Sequence, residues 1–172
     1  MARRFPSIMI RTMKIGIIGS GMIGATVGKL WADAGHEVFF SSRHPEQLKP
    51  LVQSIGARAH AGTVAEAARE ATKHASGSAG WAAEKFPDTR WVKAFNSVYF
   101  KTLETEAHRK GDRVGIPLAS DDEGALEVAA QLVRDAGFDP VIAGPLARGK
   151  AFEPGTKVYN TGISGAELRK VL

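Results

Sequence analysis

The residues best placed to do chemistry are Gly19-Ser20-Gly21-Met22-Ile23-Gly24. They follow a short apolar run, Lys14–Ile18. They open a stretch in which Ile23, Val27, Leu30, Trp31 and Ala34 recur at helical spacing. A second apolar run, Val38-Phe39-Phe40, follows. A GxGxxG pattern in that context is suited to holding a diphosphate. Gly19 makes the tight turn, and Gly21 removes a Cβ from the path of the phosphates. Gly24 lets helix and strand pack closely. The diphosphate then faces free N–H groups at the helix start, where Met22 and Ile23 stand, and the positive end of the helix dipole.

The end of the second strand selects among dinucleotides. A carboxylate there would accept from the ribose hydroxyls of NAD(H) and would repel a 2′-phosphate. This chain has Ser41-Ser42-Arg43-His44 instead. Serine hydroxyls and a guanidinium suit a 2′-phosphate, which favours NADP(H). Arg43 can also lie against an adenine face.

Other chemistry finds little support. The chain has no cysteine, which excludes disulfides, thiolate metal sites and cysteine nucleophiles. Asp121-Asp122-Glu123 reads as an acidic helix start, not a metal cluster. His36, His60, His74 and His108 lack ligand spacing and read as surface residues. No nucleophile-elbow pattern accompanies the serines. We therefore expect no metal and no acid–base catalytic constellation.

The elements that would position the site alternate. After the second strand, Pro45 to Ile55 reads as a helix ended by Gly56, and Ala57–Ala61 as a weak third strand. Thr63-Val64-Ala65-Glu66 is a capping box, and Ala75–Gly80 a small-residue linker. Trp81–Phe86 reads as helical turns, and Trp91–Phe95 and Arg113–Leu118 as strands. Ser120–Glu123 caps a helix that stops at Gly137, Val141–Ala143 is a short strand, and Ser164–Glu167 caps a last helix. Strands alternating with helices predict an α/β fold with a mainly parallel sheet.

Length and composition agree. The chain has 172 residues, 44% hydrophobic and 24% charged, as a globular domain does. Of the net charge of +5, three units are Arg3, Arg4 and Arg11. No basic stripe interleaved with aromatics suggests nucleic acid. No run approaches the ~20 apolar residues of a membrane span, and a reducing cytoplasm fits. Residues 1–12 read as a disordered or mis-started extension, with Met13 a candidate start, and residues 13–172 as one domain. Val158-Tyr159-Asn160 and the last helix could serve a homodimer.

Taken in order, Met13–Arg43, Val92-Lys93-Ala94-Phe95-Asn96-Ser97, Gly115–Asp122 and Ala143-Gly144-Pro145-Leu146-Ala147-Arg148 resemble the NADPH-dependent coenzyme F420 reductase family (F420H2:NADP+ oxidoreductase-like). The ferric-reductase domain of metalloreductases is a relative of that family. The resemblance implies a Rossmann-like NAD(P)-binding fold with helices on both faces of the sheet. It implies hydride transfer between the nicotinamide C4 and C5 of a deazaflavin. The protein's part is then to align two rings and exclude water, which needs no acid–base side chain. By position, Ser20 would contact the phosphates, Ser42 and Arg43 the 2′-phosphate, and Asn96 and Ser97 the redox pocket. Gln47 stands where a basic residue is common.

The chain departs from the family between Glu70 and Ser76, where a βαβ-sized piece of roughly 30 or more residues is expected and not found. Part of the usual sheet would then be lacking. Re-closure would set Trp91–Phe95 beside Ile15–Ile18. The alternatives to an active reductase are a catalytically impaired NADP-binding module or regulatory protein, and a flavin or ferric reductase.

Overall fold

The computed structural model describes residues 12–18, 20–63 and 90–172. The capping box at Thr63–Glu66, the linker at Ala75–Gly80, the turns at Trp81–Phe86 and the expected gap at 70–76 lie wholly or largely outside the described residues, as do residues 1–11 and Gly19.

Three parallel strands form one sheet: β1 (Lys14–Ile18), β2 (Glu37–Ser41) and β3 (Ala59–Gly62), with β2 in the middle. Register runs from Lys14 opposite Glu37 to Ile18 opposite Ser41. Helix α1 (Met22–Asp33) connects β1 to β2. A 3-10 turn (Pro45–Leu48) and α2 (Lys49–Ile55) connect β2 to β3, so the expected single helix from Pro45 is divided. Pro50 stands in the first turn of α2, where a missing N–H costs nothing. Each crossover is a βαβ unit.

Two further parallel strands, β4 (Gly115–Ala119) and β5 (Asp139–Gly144), form a second sheet. Helix α3 (Phe100–Glu106) precedes β4, and α4 (Glu123–Asp135) connects β4 to β5. A 3-10 segment (Leu146–Phe152) and α5 (Gly165–Val171) follow. Alternation along β4 sends side chains to both faces. Val114, just before it, and Ile116 and Leu118 join the core with Val133 of α4. Ala119 joins Phe152 and Leu168 of α5. The fold is α/β and Rossmann-like, with helices on both faces of a parallel strand pair.

Helix α1 joins the two sheets. Ala32 packs with Val38 and Phe40 on one side, and Val27 packs with Phe95 and Phe138 on the other. Trp31 meets both clusters, and its Nε1–H donates to the Leu132 carbonyl at 2.9 Å. Gly35 ends α1 with φ of +99°, while His36 N–H bonds back to Trp31 O. That is the glycine stop its position predicts.

Three expectations are corrected. Trp91–Phe95 does not lie beside β1. Lys93 instead exchanges both backbone hydrogen bonds with Ala119 as a single antiparallel bridge, at 2.9 and 3.2 Å. Phe95 has φ of +59°, which turns the chain and ends the extended run. Among the described residues β1 pairs with β2 alone. The cap of α4 is Asp122, whose carboxylate accepts from Ala125 N–H at 2.7 Å. Ser120 lies two residues too early and accepts from Asp122 N–H instead.

His36 is not a surface residue; it is fully buried. Its Nδ1 accepts from Met13 N–H at 3.2 Å, so Nε2 carries the proton to Asp135 at 3.0 Å. Val158 and Leu168 pack in the core of the chain itself. Ser164 does form its capping box with Glu167. No helix among the described residues is long and apolar enough to cross a membrane.

Candidate functional site

The start of α1 is bare. Gly21 is its N-cap, and no side chain caps the first turn. That turn holds no acid, and Met22 and Ile23 are exposed. An uncapped helix start leaves N–H groups without intrahelical partners, and these attract anions. Among the described residues, a Cβ placed on Gly21 would meet nothing within 4 Å. The glycine that admits close packing is Gly28. A Cβ there would lie 2.5 Å from the Phe40 ring and 2.6 Å from Ile17 Cδ1. Gly28 continues the face begun by Gly24 one turn later, a spacing the sequence displayed but the motif does not include.

Ser20 and Ser41 tie this turn to the edge of β2. Ser20 Oγ donates to the Ser41 carbonyl at 2.9 Å. Ser41 is fully buried, and its hydroxyl donates to the Ile17 carbonyl at 2.8 Å. The two hydroxyls expected to face phosphate therefore bond to backbone, and they fix the turn against the strand end. Ser42 is half-buried; its oxygen accepts from His44 N–H at 3.0 Å, leaving its proton free to donate. Arg43 is exposed, with no hydrogen bond or ion pair among the described residues. His44 Nδ1 lies 3.5 Å from Glu46, on the solvent side.

A second polar cluster begins at the Lys93–Ala119 bridge, from which the chain runs antiparallel to β4. Lys93 is 8% exposed, pairs with Glu153, and lies 5.6 Å from the centre of the Phe152 ring. Asn96 Nδ2 donates to the Phe152 carbonyl at 3.0 Å. Asn96 Oδ1 is buried and has no partner among the described residues. Ser97 is buried, and its carbonyl accepts from Asn160 N–H at 2.7 Å. Lys93 was missed in the sequence, although a lysine inside a strand that reads as buried was the available signal.

The acidic run at the start of α4 is committed to backbone. Asp122 caps the helix, and Asp121 accepts from Leu146 N–H at 3.0 Å.

Residues 14–73 match the model of the family described as NADP oxidoreductase, coenzyme F420-dependent. No curated protein matches the chain. The fold is similar to that of a hypothetical protein from Sinorhizobium meliloti, at 19% identity and a TM-score of 0.78, over 91% of this chain and 97% of that one. It is also similar to a proposed F420-dependent NADP-reductase from Arthrobacter sp. FB24, at 20% identity and a TM-score of 0.67, over 80% of this chain and 88% of that one. Over residues 14–73, which span the glycine turn and the Ser41-Ser42-Arg43 edge, the chain matches the coenzyme F420-dependent NADP oxidoreductase family, as the resemblance implied.

Proposed function

We propose that the chain binds NADP(H) and transfers hydride between its nicotinamide and a deazaflavin of the coenzyme F420 type. The observation that carries this reading is the acid-free start of α1, uncapped and open among the described residues, set beside an exposed Arg43 and a Ser42 hydroxyl with a proton to donate. The family match over the same residues supports it.

The residues fit the dinucleotide in parts. The N–H groups of Met22, Ile23 and Gly24 hold the diphosphate without losing any existing side-chain cap. Ser20 and Ser41 keep the turn rigid, so the amides are aimed before binding. Ser42 and Arg43 hold the 2′-phosphate, and no acid stands in Ser41-Ser42-Arg43 to repel it. When bound, the nicotinamide and deazaflavin rings supply the hydride chemistry themselves. Asn96 and Lys93 then orient and shield, at the strand ends. No proton has to be moved by a side chain in that scheme.

A second reading is an NADP-binding module without turnover. It is favoured by the two separate strand groups among the described residues. The test is to mix the protein, NADPH and the oxidised deazaflavin. Loss of deazaflavin absorbance at a rate proportional to protein supports transfer. Tight NADPH binding with no absorbance change supports the module.

A further inference from the structure

From the cleft where the chain enters β4 and β5 we infer a second binding site, for the phosphate ester of a small sugar. The inference does not rest on the proposed NADP(H) binding.

Four stretches far apart in sequence meet at this cleft: the approach to β4, the last turn of α4, the start of β5 and the first turn of α5. Its volume is about 450 Å³, within the ~300–1,000 Å³ of small-molecule sites. The guanidiniums of Arg113, Arg134 and Arg169 line it, against the carboxylates of Asp112 and Asp139. Asp139 is already committed. Arg169 Nη1 and Nη2 donate to its two oxygens at 2.8 and 2.7 Å, and Nη2 also donates to the Pro140 carbonyl at 3.1 Å. Those bonds occupy three of the five guanidinium N–H groups and fix the fork, leaving two for a ligand. Gly165 makes the pair possible, since a Cβ there would collide with the Asp139 carboxylate.

The other two arginines keep their charge uncompensated. Arg113 is exposed, and its side chain has no hydrogen bond or ion pair among the described residues. Its backbone is held in place: its carbonyl accepts from Gly165 N–H at 3.0 Å, and Gly115 N–H donates to the Ile163 carbonyl at 2.9 Å. Arg134 donates from Nε and Nη2 to the Gln131 amide oxygen at 3.3 and 3.1 Å, a neutral partner. Two such guanidiniums and the remaining donors of a third suit a phosphate. Asp112 sets the rest of the ligand. Its ionised carboxylate only accepts, so it takes hydroxyl donors and repels a second anionic group. A cleft far larger than a phosphate ion leaves room for the sugar that carries those hydroxyls.

This site is separate from the glycine turn. Trp31 bonds to the Leu132 carbonyl and His36 to Asp135, so the last turns of α1 and α4 lie side by side. Arg134 belongs to that turn of α4. The start of α1 is at the opposite end of a 12-residue helix, about 18 Å away.

The test is calorimetry of the unaltered protein with ribose 5-phosphate, inorganic phosphate and ribose. We expect one-to-one uptake of ribose 5-phosphate, at least about tenfold tighter than either fragment. Arg113→Gln and Arg134→Gln alter exposed side chains, and thermal unfolding checks that both variants fold. Each should weaken ribose 5-phosphate about tenfold or more and leave the NADPH titration unchanged. Arg43→Asp should leave ribose 5-phosphate binding unchanged. Absence of saturable uptake overturns the inference, and so does full affinity in both glutamine variants. Loss of binding in Arg43→Asp also overturns it, because the sugar phosphate would then sit at the glycine turn. Inorganic phosphate binding as tightly as ribose 5-phosphate removes the sugar from the assignment and overturns it as stated. If ribose 5-phosphate behaves as expected while NADPH does not bind, the proposed function falls and this site stands.

Discussion

Two glycines on the same helix make opposite predictions. Gly21 and Gly28 both belong to the α1 region, yet among the described residues a Cβ meets nothing within 4 Å at Gly21 and lies 2.5 Å from the Phe40 ring at Gly28. Carbon atoms pack best at about 3.5–4.0 Å, so the Gly28→Ala methyl is short by roughly 1 Å. Phe40 is fully buried and cannot swing away. Overpacking of this kind costs about 1–3 kcal/mol, offset by about 1 kcal/mol of helix propensity gained over glycine. The net loss is up to about 2 kcal/mol, or a fall in Tm of up to roughly 8 °C for a chain of this size. Gly21→Ala costs less than about 1 kcal/mol, because alanine is a poorer N-cap than glycine. Its methyl enters the space where the diphosphate would lie, and NADPH affinity should fall about tenfold or more. Thermal unfolding and calorimetric titration of both variants separate the two effects. Gly28→Ala should melt early and, below its Tm, bind NADPH normally. Gly21→Ala should melt nearly normally and bind poorly. A Gly21→Ala variant with full affinity would refute the reasoning about the open face of the turn.

Other outcomes follow from single contacts. Arg43→Asp should weaken NADPH about tenfold or more and narrow its advantage over NADH, read by parallel titrations. Equal losses for both cofactors would remove the 2′-phosphate role. His36→Ala strips a buried partner from Asp135 and from Met13 N–H, and should cost about 2 kcal/mol or more in urea unfolding. Ser164→Ala removes the cap of α5 and should cost about 1 kcal/mol. The backbone N–H and hydroxyl of Ser164 hold the Glu167 carboxyl below its ordinary value. A depressed folded value means stability that is complete above the ordinary glutamate range near about 4.3 and is lost as pH falls through the folded value. In Ser164→Ala the Glu167 titration, followed by NMR, should move up toward the ordinary range, and the acid-side loss should shrink.

The first βαβ unit was legible because its signals are local. An apolar strand, a glycine turn, a helical stripe and a glycine stop lie within Lys14–Gly35, and the structure reproduces each except Gly19, which lies outside the described residues. What escaped depends on partners far along the chain. His36 reads as a loop histidine after a glycine until Asp135, from the other half of the chain, closes on it. Ser41 reads as a phosphate ligand by position, but the inward alternation of β2 buries it against Ile17. The need for glycine at Gly28 shows only once Phe40 is brought under it. Ser120 reads as the cap by its spacing to Glu123, and only the phase of the helix moves the cap to Asp122. Helix α3 left little trace, because Leu103 is its one buried residue and no side chain caps it. The pairing of Lys93 with Ala119 was unreadable, since apolar strands do not state which neighbour they join.

The central claim is that free amides at the start of α1 hold a diphosphate while Arg43 and Ser42 hold a further phosphate one strand away. Titrating the unaltered protein with NADPH and with NADH in one calorimetric experiment tests it directly. The account predicts saturable one-to-one binding of NADPH, at least about tenfold tighter than NADH. No heat with NADPH from folded protein, or equal affinity for the two, would contradict it.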